Sequence, residues 1–145
     1  MNFSKARGFT LIELVVVITI LGILAAFAIP KFITLDKTAR VATINGLAGS
    51  VRSAGALARG MYMAGGNVTP ITMEGQSIVI ANNYPDTTTI ATALNTSADF
   101  SYSSTATVGT WTNAGAPTPA NCSVTYTPSV VVGTSPVVAT TITGC

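Results

Sequence analysis

The sequence predicts an α+β chain in which one long helix is followed by a strand-rich head. Three observations carry that expectation. The stretch from Phe9 to Ile29 is an apolar run in which Glu13 is the only ionisable side chain, and at about 1.5 Å rise per residue it reaches roughly 30 Å, enough to cross a bilayer. Beyond Pro30, Ile44, Leu47, Val51, Ala54, Ala58 and Met61 recur at alternating three- and four-residue spacing, a stripe suited to packing on a sheet. The remaining sequence is rich in Thr, Ser, Val and Gly, with short β-branched runs punctuated by Pro117, Pro119, Pro128 and Pro136.

Within the helix, Pro30 deletes a backbone donor where the polarity changes, so a kink or a new turn is expected there. Gly46, Gly49 and Gly55 each weaken the helix by about 1 kcal/mol relative to Ala while permitting close approach. Arg52 and Arg59 share a face outside the stripe and read as a solvated face, with a subunit contact as the alternative. Gly65-Gly66-Asn67 supplies the residues expected after a helix C-terminus.

In the head, Ser77 to Ala81 reads as a strand and Asn82-Asn83-Tyr84-Pro85-Asp86 as a turn. Asp86 is expected to cap a short helix running through Leu94. Strands are expected at Thr105 to Thr112, Ser123 to Thr127 and Val137 to Thr143, in an antiparallel sheet covering the amphipathic half of the helix. Trp111, Tyr102 and Phe100 read as core or intersubunit packing, with a sugar-binding aromatic as the alternative.

Composition limits the function classes. With 8% charged residues, no histidine and every Lys and Arg at or before Arg59, the chain lacks the electrostatic footprint of a nucleic-acid binder. The formal charge of +2 rests on Lys5 and Arg7, the remainder is close to neutral, and a chain with so few charges associates readily. Catalysis needs a base and a nucleophile held together, and no carboxylate pair is close in sequence, so no enzyme activity, cofactor or metal is expected. Cys122 and Cys145 form an even pair late in the chain. They read as a disulfide in an oxidising compartment, worth about 3 kcal/mol in the loop-entropy model, with two free thiols as the alternative. Lys5 and Arg7 on one side of the apolar stretch face Lys31, Lys37 and Arg40 on the other, so charge alone does not orient it.

Glu13 is the residue that most needs a reason. A carboxylate in hydrocarbon costs roughly 2.5 to 3.5 kcal/mol on insertion scales. A cut after Gly8 would place a new amino group on Phe9, one turn from Glu13, where i and i+4 share a face. The plainer alternatives are a secretory signal peptide cleaved after Ala26-Phe27-Ala28 and an uncleaved anchor. Both leave Glu13 without a role.

The string Gly8-Phe9-Thr10-Leu11-Ile12-Glu13-Leu14, after a short leader containing Lys5 and Arg7, resembles the processing signal of type IV prepilins and the related secretion pseudopilins. The resemblance implies the type IV pilin fold and cleavage between Gly8 and Phe9 by an aspartic prepilin peptidase. It further implies N-methylation of Phe9 and assembly of the helices into a filament, with Glu13 neutralising the amino terminus of an adjacent subunit. It divides the chain into a leader (1–8), a membrane and filament-core helix (9–30), an amphipathic half-helix (31–64) and a globular head (65–145). Gly22 and Pro30 bracket a segment that in such pilins loses helicity on assembly, and the Cys122–Cys145 pair looks like the carboxyl-terminal disulfide loop of type IVa pilins. Ala28-Ile29-Pro30-Lys31-Phe32, Thr38-Ala39-Arg40, Asn83-Tyr84-Pro85 and Cys122-Ser123-Val124-Thr125-Tyr126-Thr127 look more narrowly like mannose-sensitive haemagglutinin pilins.

The function implied is a structural subunit, a major pilin, of an adhesive surface pilus, with motility or DNA uptake as further roles. Its expected partners are other copies of itself, the peptidase, the inner-membrane assembly machinery and the membrane itself. It is expected to start as a single-pass inner-membrane precursor with a cytoplasmic amino terminus and to end in an extracellular pilus. The alternatives are a type II secretion pseudopilin and a tethered enzyme or binding module. A pseudopilin's calcium loop requires clustered carboxylates near the carboxyl terminus, and no Asp or Glu follows Asp99.

Overall fold

The computed structural model describes residues 8–96 and 98–145. Most of the leader expected over residues 1–8 therefore lies outside the described residues. The chain divides into two units, residues 1–38 and 39–145, with one helix, α1 (Leu11–Ala64), running from the first into the second.

In the first unit, α1 is exposed on every side and apolar enough to cross a membrane. It continues through Gly22 and Pro30 without interruption. Thr19 and Thr38 return their hydroxyls to the carbonyls of Val15 and Thr34, at 2.8 Å each, which satisfies these polar groups on the helix itself.

In the second unit, α1 buries Ile44, Leu47, Ala48, Val51, Ala54, Gly55 and Ala58. The expected stripe ends there. Met61 stays exposed, and Tyr62 packs on the core instead. The helix stops at a Schellman turn. Gly66 takes φ 76°, Asn67 N–H donates to Tyr62 C=O at 2.9 Å and Gly66 N–H to Met63 C=O at 3.4 Å.

Eight strands follow among the described residues. Two hairpins, β1 (Ile71–Met73) with β2 (Gln76–Ile78) and β3 (Ile80–Ala81) with β4 (Tyr84–Pro85), precede a four-stranded antiparallel meander. The meander is β5 (Phe100–Ser104), β6 (Gly109–Asn113), β7 (Ser123–Thr127) and β8 (Val137–Thr141), in that order. This is the expected α+β, pilin-like arrangement of a long apolar helix followed by antiparallel strands.

The core lies between α1 and the meander. Trp111, Val124 and Tyr126 alternate inward and are fully buried against Ile44, Leu47 and Val51. Burying side chains of this size contributes about 1.5–3 kcal/mol each. A second cluster gathers Ala58, Ile71, Met73, Ile78 and Ile80. Tyr126 Oη donates to Pro85 C=O at 2.7 Å, fastening β7 to the second hairpin, and burial pushes its phenol pKa up. Tyr102 packs on Trp111 with ring centroids 4.6 Å apart and the planes tilted by 44°, and it donates to Thr87 C=O. A Cβ at position 109 would collide with the Tyr102 ring and hydroxyl, so that close approach requires Gly109.

Several expected elements differ. The strand over Ser77–Ala81 is split at Val79, because Val79 N–H turns to Thr89 Oγ1 at 3.1 Å and Val79 C=O accepts from Asp86 N–H at 3.0 Å. The expected turn narrows to Asn82 and Asn83 at φ 53° and 73°, and Tyr84–Pro85 becomes a strand. The helix expected after Asp86 is one 3₁₀ turn, Ile90–Ala93. β-Branched Thr87, Thr88 and Thr89 disfavour a longer α-helix. The strand expected at Thr105–Thr112 starts only at Gly109, because Thr105 closes a turn onto Val108 with its N–H at 2.8 Å and its hydroxyl. β8 stops at Thr141 rather than Thr143, while β7 matches Ser123–Thr127.

Candidate functional site

The candidate site is the start of α1. Gly8 and Phe9 precede the helix and are exposed, and Thr10 closes its first turn. Thr10 N–H and Oγ–H donate to Glu13 Oε2 at 2.9 and 2.7 Å, and Glu13 N–H returns to Thr10 Oγ1 at 3.3 Å. This is a reciprocal capping box. The carboxylate also lies in the first turn, where the helix dipole favours negative charge. Glu13 thus has a structural role within its own chain, which the plainer readings of the sequence denied it. The pattern Thr10-x-x-Glu13 carried that signal.

Phe9 and Glu13 line one shallow apolar groove with Ile12, Val16 and Val17. The first turn therefore presents a single carboxylate amid exposed hydrocarbon, chemistry suited to receiving a cation inside an apolar contact. Gly22 has open space where a Cβ would sit, so close packing within this chain does not account for that glycine.

Cys122 and Cys145, by contrast, are joined in a disulfide with Sγ–Sγ 2.03 Å. The linkage belongs to the core, since both half-cystines are buried. Thr118 N–H donates to Gly144 C=O at 3.2 Å, Gly144 N–H to Asn121 C=O at 2.9 Å, and Arg40 Nη1 to Cys145 C=O at 3.1 Å.

The other arginines of α1 also have partners in the head, Arg52 while staying on the exposed face expected of it and Arg59 while half-buried. Arg52 Nη2 donates to Val138 C=O at 3.0 Å. Arg59 Nη1 donates to Tyr84 Oη at 2.6 Å, with its guanidinium carbon 5.0 Å from the Tyr84 ring centroid. The same phenol shares a hydrogen bond with Ser135 Oγ at 3.2 Å. The Ser135 bond, aided by the Arg59 hydrogen bond and charge and opposed by burial, lowers the Tyr84 pKa. Sequence reasoning missed these links because they join residues 86 and 25 positions apart.

Asp86 does not cap the 3₁₀ turn as expected, because the N-cap position falls to Thr89, which makes no side-chain cap bond; the Asp86 carboxylate instead orders the two residues that lead into the turn. Its Oδ1 accepts from Thr88 N–H at 3.1 Å, Thr89 N–H at 2.8 Å and Thr89 Oγ–H at 2.6 Å. Burial acts to raise its pKa, but the bonds from Thr89 and Thr88 outweigh it and the carboxyl titrates below its ordinary value. Among the described residues, no group of three or more His, Cys, Asp or Glu side chains could hold a metal ion.

The N-terminal segment has a known counterpart. Residues 3–29 match the prokaryotic N-terminal methylation motif. The chain is 52% identical over 54 residues to the type IV narrow pilus major component PilA5 of Thermus thermophilus, covering 37% of this chain and 47% of that protein. It is 43% identical over 51 residues to the type IV major fimbrial protein FimA of Dichelobacter nodosus, covering 35% and 33%. Against the type IV major pilin protein PilA of Myxococcus xanthus it is 74% identical over 36 residues, covering 25% and 16%. The chain thus spans less than half the length of each of these relatives. No solved structure matches it. The match places the prokaryotic N-terminal methylation motif at the start of this chain. Motif and relatives together support a type IV pilin carrying a class III signal. The exposed apolar helix and the motif fit a membrane-anchored precursor.

Proposed function

We propose that this chain is a structural subunit, a major pilin, of a type IV pilus. The observation that carries the reading is the methylation motif over residues 3–29, seated on an exposed apolar helical stretch whose first turn holds Glu13, the one carboxylate between Phe9 and Ile29. The relatives are by name pilus and fimbrial components, which favours a pilus subunit over a secretion pseudopilin.

In this reading a membrane peptidase cuts between Gly8 and Phe9, whose new amine is methylated. The precursor lies in the inner membrane with its amino terminus in the cytoplasm. The Thr10 cap satisfies Glu13 while the subunit waits in the bilayer, and on assembly the carboxylate turns to the Phe9 amine of an adjacent copy. Helix packing then covers the apolar surface of residues 9–30. Pro30 donates no hydrogen bond to the carbonyl of Ala26, and Gly22 lowers helix stability, so the segment between them is the weakest part of α1 and the one that yields. Residues 31–64 carry the helix into the head formed by residues 65–145. Partners are other copies of the chain, the peptidase, the assembly machinery and the membrane. The finer reading, an adhesive type IVa pilus near the mannose-sensitive haemagglutinin pilins, rests on the resemblance of the Pro30, Tyr84 and Cys122 segments.

Replacing Glu13 with Val tests this. Membrane insertion and cleavage after Gly8 are expected to persist while sheared surface filaments fall below detection. Filaments from that variant at the unmodified level would remove the assembly role of Glu13.

A further inference from the structure

Arg52, Ala56 and Arg59 recur at i, i+4 and i+7 along one border of the buried stripe of α1. Arg52 and Ala56 line a groove of about 240 Å³ walled by Val51, Tyr84, Ser135, Pro136 and Val138, and Arg59 adjoins it through its bond to Tyr84. Among the described residues, both guanidinium groups bond only neutral acceptors, the Val138 carbonyl and the Tyr84 hydroxyl. The remaining donors of each planar fork stay open, in the geometry that suits a carboxylate. The groove is smaller than a typical small-molecule pocket, a size for one inserted side chain.

Glu74 is its counterpart. It sits at the exposed tip of the β1–β2 hairpin, at φ 48° beside Gly75, and among the described residues it has no hydrogen bond or ion pair. Asp86 is saturated by Thr88 and Thr89, and Asp36 and Asp99 have interactions of their own. Glu74 borders a different groove, which Leu57 and Met61 also line. These residues lie roughly 150° around α1 from the arginine border, at 3.6 residues per turn. An unpartnered carboxylate and an un-neutralised arginine pair thus occupy opposite flanks of one head, so one copy cannot satisfy both while a row of copies can.

We infer that Glu74 at the hairpin tip of one subunit enters the Arg52–Arg59 groove of the next. The contact is heterologous, the kind that propagates instead of closing, and it rests on the polymer reading above. Charge complementarity fixes its register.

Co-expression of one chain bearing Glu74→Cys with another bearing Arg52→Cys tests it, each diluted in unmodified chain so that filaments form. Sheared filaments are expected to yield a disulfide-linked dimer on non-reducing gels only when both variants are present. In a homopolymer, Glu74→Arg is expected to cut filament yield about tenfold and Arg52→Glu in the same chain to restore it, because like charges repel across the contact. The Glu74→Arg chain, purified whole in detergent, should melt as the unmodified chain does. Filaments without the mixed dimer, or a double reversal no better than the single, overturn the inference and leave the polymer reading standing. Failure of the unmodified chain to form filaments removes both. Loss of yield that soluble acidic sugars reproduce without the mixed dimer would assign the groove to an external carboxylate and also overturn the inference.

Discussion

Replacing Cys145 with Ser probes how much of the head depends on the Cys122–Cys145 bridge. The bridge closes a separation of 23 residues, and releasing that constraint returns about 3 kcal/mol of chain entropy to the unfolded state. The unit from Ala39 to Cys145 contains 145 − 38 = 107 residues. Its unfolding entropy near the midpoint is therefore roughly 0.22 kcal/mol/K, which converts the loss to a fall in Tm of about 13 °C. Packing acts in the same direction, because both half-cystines are buried in the main core beside Trp111 and Val124. The variant puts a hydroxyl there and leaves Cys122 as a thiol. The competing possibility is also visible. The bonds from Thr118 to Gly144, Gly144 to Asn121 and Arg40 to Cys145 hold the same stretch without the bridge. Thermal unfolding of the full chain in detergent, followed through the near-ultraviolet signal of Trp111, separates the two. A shift below about 3 °C would show that the hydrogen bonds and packing suffice and that the entropy argument fails here.

Two further perturbations test the local arrangements. Thr10→Ala removes one half of the capping box and is expected to cost about 1 kcal/mol at the first turn. This would appear as roughly fivefold faster amide exchange over Leu11 to Leu14, and unchanged exchange would refute the cap. Asp86→Asn addresses acid stability. Because Asp86 titrates below its ordinary value in the folded chain, its ionised form stabilises the head above the unfolded pKa near 3.9. That contribution is lost as pH falls through the lowered folded value. The variant is expected to be less stable at neutral pH and to show a flatter loss of stability below about pH 4 in acid titrations. An unchanged acid limb would show that the Thr88 and Thr89 bonds do not bear on stability.

The legible and illegible parts of the chain divide by the range of the interaction that decides them. The apolar run from Phe9, the stripe through Ala58 and the Gly66 stop are each set by neighbours within a turn or two, and each stands out in sequence. Ser123–Thr127 reads correctly because its inward residues, Val124 and Tyr126, are also its most β-prone. Ser77–Ala81 misleads because Val79 spends its backbone groups on Thr89 and Asp86, contacts that only the folded head creates. β5 is hidden by Ser101, Ser103 and Ser104, and it becomes a strand because Tyr102 has Trp111 to pack on. The same holds at the sites. The charge of Glu13 and the pairing of the cysteines are plain from composition, whereas the tethering of Arg40, Arg52 and Arg59 depends on segments brought together by folding. The Thr10 cap was available from spacing alone, and attention to charge without hydrogen bonding passes it by.

The account depends most on what happens between Gly8 and Phe9. Intact-mass and amino-terminal analysis of protein sheared from cell surfaces tests it directly. The expected species begins at N-methylated Phe9 and lies about 2 Da below its reduced mass, the signature of one disulfide. A chain beginning at Ile29, or one retaining Met1 and confined to the membrane fraction, would contradict it.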